Sequence, residues 1–142
     1  MIYYFKVRKA EKGYWGNFPD LEGSTTQGET LEEILSNARE VLDLVLETDF
    51  DYKCEIPLPK KYHGKSYHPV ACDPTIGFPV LLRKTRLARK WTQKDMAKKL
   101  GVSLSAYQRL ETPGKANPTI KTLDRLNELM HLPLSFLFDQ AA

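Results

Sequence analysis

The chain has 142 residues, 42% of them hydrophobic and 27% charged, with a net charge of +3. That length holds one ordinary domain or two small ones, and the composition is that of a folded soluble chain, which excludes a disordered one. No run approaches the roughly 20 apolar residues that span a bilayer, and the first residues lack the basic-then-apolar order of a secretion signal. A cytoplasmic protein with no membrane partner is therefore expected.

The net charge hides an asymmetry. Up to Ile76 there are 9 basic and 13 acidic residues, a net of −4; from Gly77 onward there are 12 and 5, a net of +7. Such a split suggests two domains with different partners, the basic half suited to a polyanion and the acidic half to a basic protein. The two cysteines, Cys54 and Cys72, stand far apart and outside any metal-binding spacing, so they are expected as free thiols, with no metal or cofactor.

Taken in order, Ile2–Lys9 is rich in tyrosine, phenylalanine and valine and reads as a strand. Its alternation puts Tyr3, Phe5 and Val7 on one face and Ile2, Tyr4, Lys6 and Arg8 on the other. A turn at 10–13 leads to a short aromatic strand at 14–18, and 24–27 forms a third. The period then changes. Leu31, Ile34, Leu35, Ala38, Val41, Leu42 and Val45 mark an amphipathic helix over 31–48, with Thr30 as N-cap and Glu33 completing a capping box. Residues 49–66, with two prolines and a Lys60-Lys61 pair, read as an irregular connection. A last strand at 67–72 carries Pro69, which favours a sheet edge.

Pro74, Gly77 and Pro79 cluster between the two halves, and the boundary is placed there, giving domains 1–75 and 76–142. Beyond it the pattern is helical. A helix at 80–90 offers Leu81, Leu82 and Leu87 to a core. Thr92 caps Gln93–Leu100, Gly101 stops it, and Ser103 caps a helix at 104–111. After a loop at 112–118, a helix at 119–130 turns Ile120, Leu123, Leu126 and Leu129 inward, and a short one covers 134–138. The expected fold class is α+β: a small antiparallel sheet with one long helix, then an all-α five-helix domain.

Two short helices joined by Gly101-Val102-Ser103 form a helix-turn-helix. In that layout the second helix enters the major groove of double-stranded DNA with its N-terminal end first. Its outward face would present Leu104, Ser105, Gln108 and Arg109, where arginine can pair with guanine and glutamine with adenine. Thr92-Gln93, Ala97, Leu100-Gly101-Val102-Ser103, Leu110-Glu111 and Pro118-Thr119-Ile120 together resemble the XRE/Cro/phage-repressor family over 80–138. The resemblance implies a five-helix bundle that binds operator DNA as a dimer. It also implies a phosphate contact at Gln93, groove-facing positions at Ser103, Leu104, Ser105 and Arg109, and a structural ion pair between Arg86 and Glu111. Leu104 and Ser105 stand where the phage repressors carry glutamines, so the base preference does not transfer.

The first half has no phosphate-binding glycine loop, zinc spacing or nucleophile–base pair. Its Gly13-Tyr14-Trp15-Gly16-Asn17-Phe18-Pro19-Asp20-Leu21, followed by Thr26 to Glu33 and Asn37 to Leu42, resembles the HicB antitoxin family. That resemblance implies a partial ribonuclease-H-like fold without catalysis and binding to a small basic HicA-type toxin, a ribonuclease that cleaves RNA. Tyr14, Trp15, Phe18 and Asp20 are the candidate toxin contacts, though each also has a role in forming the sheet. The expected assembly is a homodimer, with a tetramer through the N-terminal sheets as the alternative.

The leading expectation is an antitoxin that neutralises its toxin and represses its own operon; the alternative is a repressor whose first domain senses a small ligand. A ribonuclease-H-like nuclease would need carboxylates converging on metal ions. Asp20, Glu22 and Glu29 cluster near loops and the first strand carries none, so an enzyme is not expected. His63 and His68, in or beside the proline-rich connection, read as surface residues.

Overall fold

The computed structural model of the chain describes residues 1–138. They divide into two compact units, Met1–Asp73 and Pro74–Phe138. Residues 139–142, which the expected second domain includes, lie outside the described residues.

In the first unit, β1 (Ile2–Lys9) alternates as its side chains dictate, with Tyr3 and Phe5 wholly buried and their neighbours only partly covered. A tight turn, closed by the Ala10 amide donating to the Gly13 carbonyl, leads to β2 (Tyr14–Asn17), antiparallel to β1 with Lys6 opposite Asn17 and Arg8 opposite Trp15. Next come β3 (Thr26–Gly28), α1 (Leu31–Asp51) and β4 (Tyr67–Ala71). The sheet order is β3-β2-β1-β4, so β4 with Pro69 is an edge strand, antiparallel to β1. Gly16 is required where it stands: an added Cβ would collide with the Lys6 carbonyl oxygen and reach 2.7 Å from the Phe5 ring.

α1 closes one face of the sheet with Ile34, Ala38, Leu42, Leu46 and Phe50, one residue per turn. The Thr30 side chain accepts the Glu33 amide, and the Glu33 carboxylate accepts the Glu29 amide. The helix outlasts the expected 31–48 because Phe50 prolongs the buried stripe past polar residues that mask it in the sequence. The third strand begins two residues later than expected. Ser24 is instead a buried staple, accepting the Phe18 amide at 2.9 Å and donating to the Leu21 carbonyl at 2.7 Å. Segment 52–66 is irregular but anchored. The Tyr3 hydroxyl donates to the Pro57 carbonyl at 2.8 Å, Ile56 is buried, and the Val7 amide donates to the Ser66 carbonyl. At the other end of the sheet the Cys72 amide donates to the Met1 carbonyl, and the Met1 ammonium lies 3.4 Å from the buried Cys72 sulfur. Cys54 is exposed, and both thiols are free.

The second unit comprises α2 (Pro74–Ala88), α3 (Gln93–Leu100), α4 (Leu104–Leu110), α5 (Ile120–Met130) and α6 (Ser135–Phe138). α2 starts six residues before the expected 80. Pro79 lies inside it, where its missing N–H would have bonded the Thr75 carbonyl. That carbonyl accepts the Gly114 amide instead, at 3.0 Å, so no acceptor is orphaned and the helix continues through the proline. Phe78, Leu81, Leu82, Met96, Leu100, Tyr107, Leu126 and Met130 form the core. Two expected core residues fall outside it. Leu87 is exposed on the last turn of α2, and Ile120, the first residue of α5, faces solvent. No helix among the described residues is long and apolar enough to cross a membrane.

Candidate nucleic-acid interface

The turn between α3 and α4 is built from local rules. Thr92 and Asp95 form a reciprocal capping box at the start of α3, and the Asp95 carboxyl is held below its ordinary pKa chiefly by the Thr92 amide. At the other end Gly101 takes a left-handed conformation, φ 70° and ψ 32°. Its amide donates to the Lys98 carbonyl and the Val102 amide to the Ala97 carbonyl, a pairing that satisfies the end of the helix as the chain reverses. Ser103 then caps α4, its hydroxyl accepting the Ala106 amide at 3.1 Å.

α4 buries Tyr107 completely and leaves Ser105, Ala106, Gln108 and Arg109 exposed, with Leu104 half-buried at its first turn. Ser105, Gln108 and Arg109 therefore share a solvent face. What fixes that face lies beneath it. Glu111, just past α4 and buried, accepts two hydrogen bonds from Arg86 of α2, each 2.8 Å, and Arg86 also donates to the Trp91 carbonyl at 2.8 Å. Arg83 adds a longer contact to Glu111 at 3.8 Å. The carboxylate holds the Arg86 guanidinium pKa above its ordinary value. Arg86 and Glu111 thus clamp α2, the turn before α3 and the end of α4 together.

The network reaches the surface. Gln93 donates to Glu111 at 3.5 Å and accepts from Gln108 at 3.3 Å. The residue with an expected phosphate contact is thereby joined to one with an expected base contact, a pairing between helices that the sequence does not announce. The Tyr107 hydroxyl is buried with no hydrogen-bond partner among the described residues. Burial and the nearby Glu111 carboxylate push its pKa up, so it is a neutral phenol. Trp91 is bracketed by two cations, Lys99 at 4.6 Å and Arg89 at 5.7 Å from its ring.

The four hairpin residues expected to touch a toxin separate. Phe18 is wholly buried, edge-on to Phe5 at 4.9 Å, and is core rather than surface. Asp20 accepts the Lys60 amide at 2.9 Å and the Tyr62 hydroxyl at 2.7 Å, so it fastens segment 52–66 to the sheet. Tyr14 is half-buried beside a hollow of about 230 Å³ lined also by Lys9, Lys65 and His68. Trp15 alone is exposed, at 42%, beneath the Arg8 guanidinium. Among the described residues, no three acidic, histidine or cysteine side chains converge as a metal site.

The second unit is a helix-turn-helix domain, and a helix-turn-helix family matches residues 82–137. The chain is 30% identical over 135 residues to Antitoxin HicB 2 of Photorhabdus laumondii, covering 94% of this chain and 95% of that one. Antitoxin HicB 1 of the same organism is 34% identical over 100 residues, which are 70% of this chain and 63% of that relative's length. Among solved structures, a HicA3 and HicB3 toxin-antitoxin complex aligns with a TM-score of 0.45 at 27% identity, over 52% of this chain and all of that one. The chain belongs to the HicB antitoxin family, in the form that carries a helix-turn-helix.

Proposed function

We propose that this antitoxin binds and neutralises a HicA-type toxin through its sheet-and-helix unit and represses its own operon through its helix-turn-helix unit. The observation that carries the second half is the exposed row of Ser105, Gln108 and Arg109 on a helix locked from below by the Arg86–Glu111 pair. A reading helix must be rigid before it meets DNA, because geometry that is already set costs nothing to organise on binding.

In this reading Arg109 pairs with guanine, Gln108 with adenine, and the half-buried Leu104 meets a thymine methyl. Ser103 and Ser105 line the entry of α4 into the groove, and Gln93 meets a phosphate at the start of α3. A dimer sets two copies of α4 one turn of DNA apart, about 34 Å. The surplus lysines and arginines of this half supply the salt-dependent part of binding.

The toxin side rests on family and charge. α1 carries seven acidic residues and one basic one. Its outer surface also exposes Leu44 and, just past its end, Tyr52. An acidic face with two apolar anchors fits a small basic partner.

The test is a capture experiment with the tagged full-length protein in its native cells, paired with a gel shift on DNA upstream of its own reading frame. Recovery of a small basic ribonuclease encoded next door, with its RNA cleavage suppressed, and a shifted upstream fragment would support both halves. A shift without any such partner would leave a repressor and direct attention to a ligand for the first unit.

A further inference from the structure

The charge of the first unit is sorted by element. Seven of the nine basic residues before Gly77 lie on β1, in its turn, or in the run that enters β4, while α1 is acidic. The sheet face opposite α1 combines two of these cations, Lys6 and Arg8, with rings. The Arg8 guanidinium lies 4.6 Å from the centre of the Trp15 ring and the Lys6 ammonium 5.5 Å from that of Tyr67. Tyr67 stacks on Tyr62, centres 5.1 Å apart and planes 16° from parallel, and Tyr4 leans on Tyr62 at 6.4 Å. Lys6 and Arg8 are two residues apart on β1, so the two ring–cation groups stand about 7 Å apart along the strand. The hydroxyl of Tyr62 is turned to Asp20 and Arg8 donates to Asn17 at 2.7 Å, which hold both groups in place.

We infer that this helix-free sheet face binds single-stranded nucleic acid, with bases packing against the Arg8–Trp15 and Lys6–Tyr67–Tyr62 groups and phosphates meeting Lys6 and Arg8. Rings on a sheet with cations lying over them match unpaired bases on a charged backbone. A duplex hides its base faces and a basic protein is repelled by Lys6 and Arg8, so neither fits this surface as well. The inference goes beyond toxin capture and operator binding and uses the sheet face rather than the outer face of α1 or α4, taking in Trp15, one of the expected toxin contacts.

The experiment uses the full-length chain carrying Trp91→Phe, so that Trp15 is its one indole. Labelled oligouridylate and oligodeoxythymidylate of about a dozen nucleotides are titrated while Trp15 fluorescence and label anisotropy are recorded together. Saturable quenching of Trp15 in step with anisotropy, not displaced by random-sequence duplex, is the expected result. A preference for one oligonucleotide over the other identifies the strand as RNA or DNA. Lys6→Glu with Arg8→Glu should abolish it. Lys6→Gln, which leaves the Arg8–Asn17 bond in place and so guards against misfolding, should weaken it and lower the slope of log affinity against log salt by about 0.7. Anisotropy without quenching, competed by duplex, would place binding on the helix-turn-helix and overturn the inference. Absence of binding would overturn it too, as would loss of toxin capture in the Lys6 and Arg8 variants without any oligonucleotide binding, which would make this a protein-docking face.

Discussion

Removing Arg86 leaves the Glu111 carboxylate inside the protein, with the more distant Arg83 and Gln93 left to offset it. Arg86→Met should therefore cost about 3–5 kcal/mol, read from urea unfolding, because an uncompensated buried charge is expensive. Arg86→Met with Glu111→Leu should recover most of that loss, since an apolar pair of similar size has no charge to desolvate. If the double variant is no better than the single one, the clamp has a value that packing cannot replace. Arg109 poses a different question, because it is exposed and its role lies in recognition. Arg109→Ala should weaken operator binding by about 1–3 kcal/mol more than it weakens binding to random duplex. Equal losses on both would mean that Arg109 meets a phosphate.

At the scale of elements, the turn of the helix-turn-helix depends on one backbone conformation. A Cβ at Gly101 would meet only the Arg125 side chain, at 3.8 Å, so space is not the constraint. Gly101→Ala should cost about 1–2 kcal/mol through the left-handed φ alone, visible as a lower thermal midpoint. On α1, burial raises the Asp43 pKa above its ordinary value despite the hydrogen bond from the Asp73 amide. The folded chain thus holds that proton more tightly than the unfolded one. This stabilising term is present in acid below the ordinary carboxylate value and is lost as pH rises through the raised value. Asp43→Asn keeps an acceptor for the Asp73 amide and should flatten stability in that window, measured as urea midpoints at successive pH. A slope unchanged in the variant would point to Asp49, also raised by burial.

These elements show which parts of the fold the sequence reveals. Thr30, Thr92, Gly101 and Ser103 are local signals read within four residues, and the helix ends they mark lie where the periodicity puts them. The start of α2 was hidden because Pro79 is a helix breaker unless a distant amide takes its acceptor, and Gly114 does so from 39 residues away. The hairpin residues were hidden in the same way. Phe18 looks like surface until Phe5 covers it, and the partner of Asp20 is Tyr62, 42 residues on. Patterns with a period of 2 or 3.6 report what faces a core, not which distant group completes it.

For the whole molecule, the two compact units predict separable activities. Residues 1–73 alone should retain the toxin in a pull-down, and residues 74–142 alone should shift operator DNA with an affinity that falls steeply as salt is raised. Toxin retention by the full chain only would show that the second unit helps to hold it. Opposite charge in the two halves suits this division, and the sequence states it openly. Within the first half, the sorting of acid to α1 and base to the sheet emerges only once β1 and the run before β4 are brought together.

The two thiols give the first unit an internal clock. Cys54 is open to solvent, whereas Cys72 sits under the first residue of the chain, its ionisation suppressed by burial. A thiol reagent should label Cys54 at once and reach Cys72 only when the β1–β4 edge parts. With Cys54 replaced by serine, the labelling rate counts those openings directly, and a partner that grips the first unit would slow it.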